Sequence, residues 1–277
     1  MKHILSGFLC AGVLMVSLLI NSRGTAMAAG GDPTSMIDPT RFELTFSDEF
    51  DKPLSVSPWG PNTKWIAHTP WNGDFGDSKF ANPVDGFPFE TVNGHLLIKA
   101  RKLKSGQWYS GLLSSVARDW TGFSQQYGYF EIRAKLPPGP GLWPAFWLIG
   151  MDRKAGGHTA EIDILEHYGH LPAIYSSTVS VWNRHSRRGV NYMANTRHAI
   201  PDGLLYRQFN TFGATVDHDW IVFYFNRKEI WRTPTQPEHR QPMLLLVNLA
   251  LGPGWPIDKT PSPSVMQVDY VRVWKLP

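Results

Sequence analysis

The sequence predicts an all-β protein in which two antiparallel sheets pack face to face as a sandwich. From Phe42 onward, short runs that alternate apolar and polar residues are separated by turn clusters of Gly, Pro, Asn and Asp, a pattern typical of sandwich strands. Stretches with the period of an amphipathic helix are absent from this part of the sequence. The chain has 277 residues, of which 42% are hydrophobic. This is enough for the hydrophobic core of a single β-sandwich domain.

The individual strands follow from local pattern. HLLIKARK, GYFEIRAKL, WIVFYF and VDYVRVW alternate as half-buried strands do, whereas PMLLLVNLA is apolar throughout, as in a strand buried on both faces. Asn226 and Arg227, between WIVFYF and EIWRT, predict a hairpin turn. Residues 55–89 are rich in Trp, Gly, Pro and Asp. We interpret them as a long loop region of the kind that builds binding sites on sandwiches.

Residues 161–166 read EIDILE and are the most informative segment. On a helix the three carboxylates would scatter around the axis. On a strand, Glu161 and Asp163 share one face, while the isoleucines face the core. Glu166 is out of phase, and a β-bulge around residues 164–165 would return it to the carboxylate face. The segment therefore predicts three acids in a row.

Such a row has the parts needed for glycoside hydrolysis. One carboxylic acid protonates the leaving oxygen and another attacks or activates water, and Asp163 between them could share a proton with its neighbour. The alternative, a solvated acidic edge strand, is disfavoured by the apolar partners and by the aromatic segment GLWPAFWLIG just upstream. His167 should point to the opposite face as a buried, hydrogen-bonded histidine. A metal centre is disfavoured because no H-E-x-x-H pattern occurs.

Several segments together resemble family 16 of the glycoside hydrolases: EIDILE, GLWPAFWLIG, YGYFEIRAKLPPGPG, PMLLLVNLALG and VDYVRVW. The resemblance implies a β-jelly roll with a concave substrate cleft, and a retaining mechanism with Glu161 as nucleophile, Asp163 as its assistant and Glu166 as acid/base. The six-residue bulged motif is typical of laminarinase-like and exopolysaccharide-cleaving members.

Within the family, GDFGDSKF, GFPF, SGLLSS and FSQQYGYFE are most similar to the succinoglycan-depolymerising endo-β-1,3-1,4-glycanases of bacteria. Two positions depart from laminarinases: Leu112 stands where many have Lys or Arg, and Thr178-Val179-Ser180 replaces Thr-x-His. The resemblance thus implies internal cleavage of a β-1,3- or mixed β-1,3/1,4-linked glucan, with an exopolysaccharide as expected substrate. Two alternatives stay open, a transglycosylase that uses the same residues and a lectin-like binding module without catalysis.

Tryptophans are the expected sugar contacts, because the apolar faces of pyranose rings stack on indole. Trp143 and Trp147 are four positions apart, so on a strand they share one face, and we expect both in the cleft. Trp71, Trp182 and Trp255 lie in or beside loops and are further candidates.

No cofactor is expected for catalysis, and the expected partner is a polysaccharide bound by a monomer. The family resemblance also implies a structural calcium ion on the convex face. The matching positions are the side chain of Asp269 and the backbone carbonyl of Gly94.

The N-terminus predicts a secretory signal peptide over residues 1–28. Lys2 precedes an apolar run at residues 4–20, and Ala26-Met27-Ala28 supplies a small-x-small cleavage site. An uncleaved membrane anchor is the competing interpretation. Cleavage would leave residues 29–277 as the catalytic domain, without Cys10, the single cysteine. We therefore expect a secreted protein, periplasmic or extracellular, without stable membrane association.

Charge disfavours a nucleic-acid partner. The formal net charge is only +4, and its densest basic segment, Arg184, Arg187 and Arg188, lacks the helical period and the interleaved aromatics of a nucleic-acid module. We interpret this segment as a solvated hairpin tip or as a steering element for an acidic polysaccharide.

Overall fold

The computed structural model describes residues 36–155, 158–183 and 189–277. These residues form mostly strands, arranged in two sheets, which confirms the predicted all-β class. The signal peptide at residues 1–28 and the basic segment at residues 184–188 lie outside the described residues, and both stay predictions. Within the described ranges no helix is both long and apolar enough to cross a membrane.

The first sheet, here called the convex sheet, has ten strands in the described part of the chain and the order β17-β16-β15-β10-β19-β6-β7-β4, with β1 also paired to β19 and β5 to β6. Its strands, numbered in chain order over both sheets, are β1 (Glu43–Asp48), β4 (Ser78–Phe80), β5 (Phe89–Val92), β6 (His95–Lys102), β7 (Trp108–Ser110), β10 (Gly128–Lys135), β15 (Asn210–Val216), β16 (Trp220–Phe225), β17 (Lys228–Pro234) and β19 (Ser264–Lys275).

The second sheet, here called the concave sheet, has nine strands in the same described ranges and the order β14-β13-β12-β11-β18-β8-β3-β2, with β9 paired to β18. Its strands are β2 (Val56–Ser57), β3 (Trp65–Ile66), β8 (Leu112–Ser114), β9 (Ser124–Gln125), β11 (Leu142–Gly150), β12 (Thr159–Glu166), β13 (Ile174–Trp182), β14 (Val190–Ala199) and β18 (Met243–Leu251). One short α-helix, α1 (Leu204–Arg207), and the 3-10 turns Pro39–Arg41, Met151–Ala155 and Pro237–His239 connect strands.

The sheets depart from expectation in one respect. Two short pairs at the sheet margins, β2 with β3 and β4 with β7, run parallel, so the sheets are mixed rather than purely antiparallel. Neither pair is joined by a tight hairpin: residues 58–64 connect β2 to β3, and residues 81–107, which include β5 and β6, connect β4 to β7. The remaining pairings are antiparallel, including those of the strands that carry the predicted site.

The main core lies between the sheets and buries residues of the central long strands. Ile132 of β10, Phe146 of β11 and Val271 of β19 are each fully buried there. Strand β18 is buried at all nine positions, as its continuous apolar sequence predicts. Its other face, with Leu244 and Leu246, belongs to a second apolar cluster on the concave side.

The predicted hairpin between β16 and β17 is confirmed. Phe225 pairs with Lys228, and the two residues between them, Asn226 and Arg227, have φ values of 48° and 65°. Positive φ at both central positions is the geometry that matches the right-handed twist of the flanking strands.

Candidate active site

The three predicted acids lie on β12 and face the concave side. Glu161 and Asp163 pair with Ser180 and Thr178 of β13 in regular register, and the register then shifts before Glu166, which pairs with Ser176. Three steps along β12 thus correspond to two along β13, which is the predicted bulge. The extra residue turns Glu166 to the face of the other two acids.

The strand behind the acids is firmly anchored. Ile162, Ile164 and Leu165 are at most 2% exposed and belong to the core between the sheets. A slip of β12 by one residue would move these apolar side chains out of the core and the acids into it. Burial of the opposite face therefore fixes the positions of the acids.

Glu161 lies in an environment that favours its protonated form. Burial and then the charge of Glu166 raise its pKa from 4.5 to about 7, while a hydrogen bond from the side chain of Trp182 and the charge of Arg153 oppose that rise. The indole N–H and the guanidinium both stabilise the carboxylate form. Trp182 and Arg153 thus stabilise the negative charge of Glu161 whenever this carboxyl is ionised.

Asp163 lies between the two glutamates, in surroundings that favour its protonated form. Burial raises its pKa well above the usual range, and the charges of Glu161 and Glu166 raise it further. Three carboxyl groups this close titrate as a coupled set, because each ionisation penalises the next. That Asp163 shares a proton with a neighbouring glutamate stays a prediction.

Glu166 is held by two aromatic donors. Trp143 Nε1 donates to Glu166 Oε1 at 3.0 Å, and the hydroxyl of Tyr168 also donates to this carboxyl. Burial raises the pKa of Glu166, and the two hydrogen bonds oppose the rise. Tyr168 stacks on Trp143 with ring centroids 6.2 Å apart. The two rings therefore orient the carboxyl as well as lining the cleft.

Trp147 and Trp71 pack together on the β11 side of the acids, where Trp147 pairs with Asp163. Trp147 is only 9% exposed, donates from Nε1 to Asn248 Oδ1 at 2.8 Å, and packs edge-on against Trp71 and Phe75. The guanidinium of Arg153 lies 3.8 Å above the ring of Trp71. Trp147 is therefore buried beneath Trp71 and Phe75, and the guanidinium of Arg153 covers one face of Trp71.

The two remaining tryptophans lie at different distances from the acids. Trp182 contacts Glu161 directly through its hydrogen bond. Trp255 follows the end of β18 and stacks on His170 with centroids 4.8 Å apart, while His170 accepts a hydrogen bond from the backbone of Gly141 at 3.2 Å. Contact between any of the five predicted tryptophans and a sugar stays a prediction.

Sequence reasoning missed Tyr168, Arg153 and His239. His239 is fully buried, and its Nε2 donates to the backbone carbonyl of Glu161 at 3.2 Å. Tyr168, two residues after Glu166, could have been found from its neighbourhood. Arg153 lies in the turn that precedes β12, whereas His239 is brought to β12 by tertiary folding, and no local pattern marks either contact. The expectation for His167 is confirmed: it is 1% exposed, and its Nδ1 lies 2.8 Å from the carbonyl of Ile174.

The residues at the predicted calcium position do not fit a cation. The carboxylate of Asp269 forms an ion pair with Arg133, and His95 Nδ1 lies 3.0 Å from its other oxygen. Gly94, with a φ of 73°, lies in the two-residue turn between β5 and β6. Within the described residues no group of three His, Cys, Asp or Glu side chains is placed to hold a metal ion. The implied calcium site therefore disagrees with this ion pair, and no step of the chemistry depends on the ion.

Comparison with known proteins agrees with this geometry. Residues 83–272 match the family described as Glycosyl hydrolases family 16. Endo-1,3-1,4-beta-glycanase ExsH of Rhizobium meliloti (strain 1021) is 30% identical over 263 residues, which cover 87% of this chain and 53% of the relative. The chain thus spans about half the length of this relative.

Two solved structures share the fold. The laminarinase catalytic domain from Thermotoga maritima MSB8 is 25% identical, with a TM-score of 0.67 over 85% of this chain and 99% of that domain. SCLam, a non-specific endo-beta-1,3(4)-glucanase crystallised with a bound oligosaccharide, is 29% identical, with a TM-score of 0.68 over 89% of this chain and 99% of the other. These likenesses confirm the predicted jelly-roll fold and the resemblance of the sequence.

Proposed function

The chain belongs to family 16 of the glycosyl hydrolases, and on this premise we propose that it is a retaining endo-β-glycanase for β-1,3- or mixed β-1,3/1,4-linked glucan. The observation that carries the proposal is the row of Glu161, Asp163 and Glu166 on one cleft-facing strand. Glu161 and Glu166 flank Asp163 and have different hydrogen-bond partners. Such a pair is suited to a reaction that needs a carboxylate and a carboxylic acid together.

Glycosylation is the first half of the proposed reaction. The carboxylate of Glu161 attacks the anomeric carbon, and Glu166 gives its proton to the leaving oxygen, so that a glycosyl ester replaces the glycosidic bond. Trp182 and Arg153 support the charge of Glu161 before attack. Burial and the charges of both glutamates raise the pKa of Asp163, which suits this carboxyl to share a proton with the nucleophile.

Hydrolysis of the ester is the second half. Once Glu161 is esterified, its charge no longer acts on Asp163 and Glu166, and Glu166 accepts a proton from water as the water attacks. The product keeps the β configuration. Trp143 and Tyr168 hold Glu166 in place through both steps, since their hydrogen bonds fix its carboxyl whether or not it carries the proton.

Location and natural substrate belong to the same proposal. The apolar leader with its Ala26-Met27-Ala28 site supports secretion. The likeness to a relative named as an endo-1,3-1,4-beta-glycanase supports a mixed-linkage glycan as substrate. The motifs GDFGDSKF, GFPF, SGLLSS and FSQQYGYFE extend the proposal to a bacterial exopolysaccharide. A monomer that binds a polysaccharide and no nucleic acid completes the proposal.

The two alternatives predict different products. A transglycosylase would elongate an added acceptor sugar, and a binding module would release nothing. A protein named beta-1,3-glucan-binding protein from Penaeus monodon is 24% identical to this chain over 239 residues, so catalysis needs a direct test.

The test compares viscosity with reducing ends during digestion of a soluble β-1,3/1,4-glucan. We expect viscosity to collapse while few ends have appeared, and NMR of the earliest products to show the β anomer. The isosteric Glu161→Gln should abolish both signals, and Glu43→Gln, at an exposed position of β1, serves as the matched control. Glucose released in proportion from the start, an α anomer first, or an active Glu161→Gln variant would each contradict the proposal.

A further inference from the structure

The two sides of the acid row differ in chemistry. Toward β11 and β18 the concave face is aromatic and apolar, with Trp147, Leu244 and Leu246 beneath Trp71 and Phe75. Toward β13 and β14 it is polar. A glycan that crosses the acid row must therefore contact two different surfaces.

The register of β12, β13 and β14 places this polar side residue by residue. Paired residues of antiparallel strands share a face, so the pairings define three rows across the cleft. The rows are Glu161–Ser180–Met193, Asp163–Thr178–Asn195 and Glu166–Ser176–Arg197. Arg197 thus continues the row that begins at the proposed acid/base.

Strand β14 presents this row openly. It lies at the edge of the concave sheet, and Met193, Asn195 and Arg197 are exposed while the alternate positions are half-buried. Tyr192, on the inner face, contacts Thr233 through the two hydroxyls at 2.9 Å. This contact to the other sheet fixes which face of β14 points into the cleft.

Arg197 lies within electrostatic reach of the acids. Two strand spacings separate β14 from β12, on the order of 10 Å, and a β-linked sugar repeat is similar in length to one spacing. The pKa of Tyr168 is raised by burial and by the charge of Glu166, and Arg197 acts against that rise. The positive charge of Arg197 therefore contributes to the electrostatic potential at the Glu166 end of the row.

We infer that Arg197 forms a subsite for an anionic substituent, a carboxylate or a sulfate, on the sugar that lies over β14. This inference rests on the proposed function of the acid row. A planar guanidinium binds either anion with two parallel hydrogen bonds, and the exposed amide of Asn195 lies on the same face. The negative charge of the acid row would repel an acidic glycan, and a cation at this distance offsets that repulsion.

The test measures kcat/KM on a neutral β-1,3-glucan, on the same glucan carboxymethylated, and on the same glucan sulfated. We expect Arg197→Gln to lower kcat/KM on at least one charged polymer about tenfold more than on the neutral one, the effect of one charge-assisted hydrogen bond. The loss should be mainly in KM and should shrink at high salt. The two charged polymers distinguish carboxylate from sulfate.

Two further variants sharpen the result. Arg197→Lys keeps the charge without the planar fork and should recover part of the preference. Arg207→Gln removes an exposed arginine from α1, which contacts the convex strand β10, and should leave all three values unchanged. An unchanged ratio of charged to neutral activity in Arg197→Gln, with normal activity on the neutral glucan, overturns this inference alone. Absence of activity on every polymer in the wild-type protein overturns the proposed function first.

Discussion

The variant Glu161→Gln should make the protein more resistant to unfolding above neutral pH. In the folded protein the pKa of Glu161 is raised from 4.5 to about 7, because the carboxyl is buried and lies near Glu166. In the unfolded chain it returns to its ordinary value. Between these two values the folded state binds more protons than the unfolded state, so the stabilising contribution of this carboxyl, complete below pH 4.5, is lost as pH rises through 7.

The magnitude follows from the same values. At 1.36 kcal/mol for each pH unit, a pKa raised from 4.5 to about 7 corresponds to about 3 kcal/mol. A neutral glutamine does not incur this loss. At pH 8, relative to pH 4.5, Glu161→Gln should therefore gain about 3 kcal/mol over the wild-type protein. For a domain of this size the gain corresponds to a Tm difference of roughly 6–12 °C.

The assay is urea unfolding followed by tryptophan fluorescence at pH 4.5 and pH 8, with thermal melts in the same buffers. Glu43→Gln is the control, because its carboxylate is exposed on β1, and its pH dependence should follow that of the wild-type protein. The difference in free energy of unfolding between Glu161→Gln and the wild-type protein should change between the two pH values. If this difference is the same at both, the folded state does not disfavour the charged form of Glu161. The account of the acid row would then be wrong.

Three further predictions concern the same site and its surroundings. Glu166→Ala should lower turnover of polysaccharide by about 10²–10⁴-fold but keep activity on aryl β-glycosides, whose leaving group needs no proton. Glu161→Ala should abolish activity on both substrates. Equal losses on both substrates for Glu166→Ala would contradict the assignment. Arg153→Gln should move the acid limb of the pH profile of kcat/KM to higher pH, because Arg153 holds down the pKa of Glu161; an unmoved limb would remove Arg153 from the site. Treatment with EDTA should leave the Tm unchanged, because Asp269 already pairs with Arg133; a fall in Tm that calcium restores would show that an ion displaces this pair.

Much of the fold and the whole acid row were predictable from the sequence. The alternation of HLLIKARK and the continuous apolar run of β18 are local patterns that report on which faces are buried. The bulge in β12 was predictable because three acids among isoleucine and leucine can share a face only with one extra residue. The family resemblance, which the match of residues 83–272 confirms, added expected roles for these acids.

The surroundings of the acids depended on the tertiary structure. Arg153 covers Trp71, and His239 bonds to the backbone of Glu161, yet their positions in the sequence carry no signal for either contact. Trp147 was expected in the cleft, and only the tertiary structure shows that Trp71 and Phe75 pack against it and leave it 9% exposed.

The difference has a physical cause. Strand periodicity, bulges and turns depend on side chains only a few residues apart, so the sequence by itself determined the strands, the hairpin at Asn226 and the shared face of the acids. The pKa values, the donors to Glu161 and the row that ends at Arg197 depend on which distant strands become neighbours. Only the packing of the two sheets and their loops decides that, because burial and Coulombic interactions depend on distance in space and not on distance along the chain.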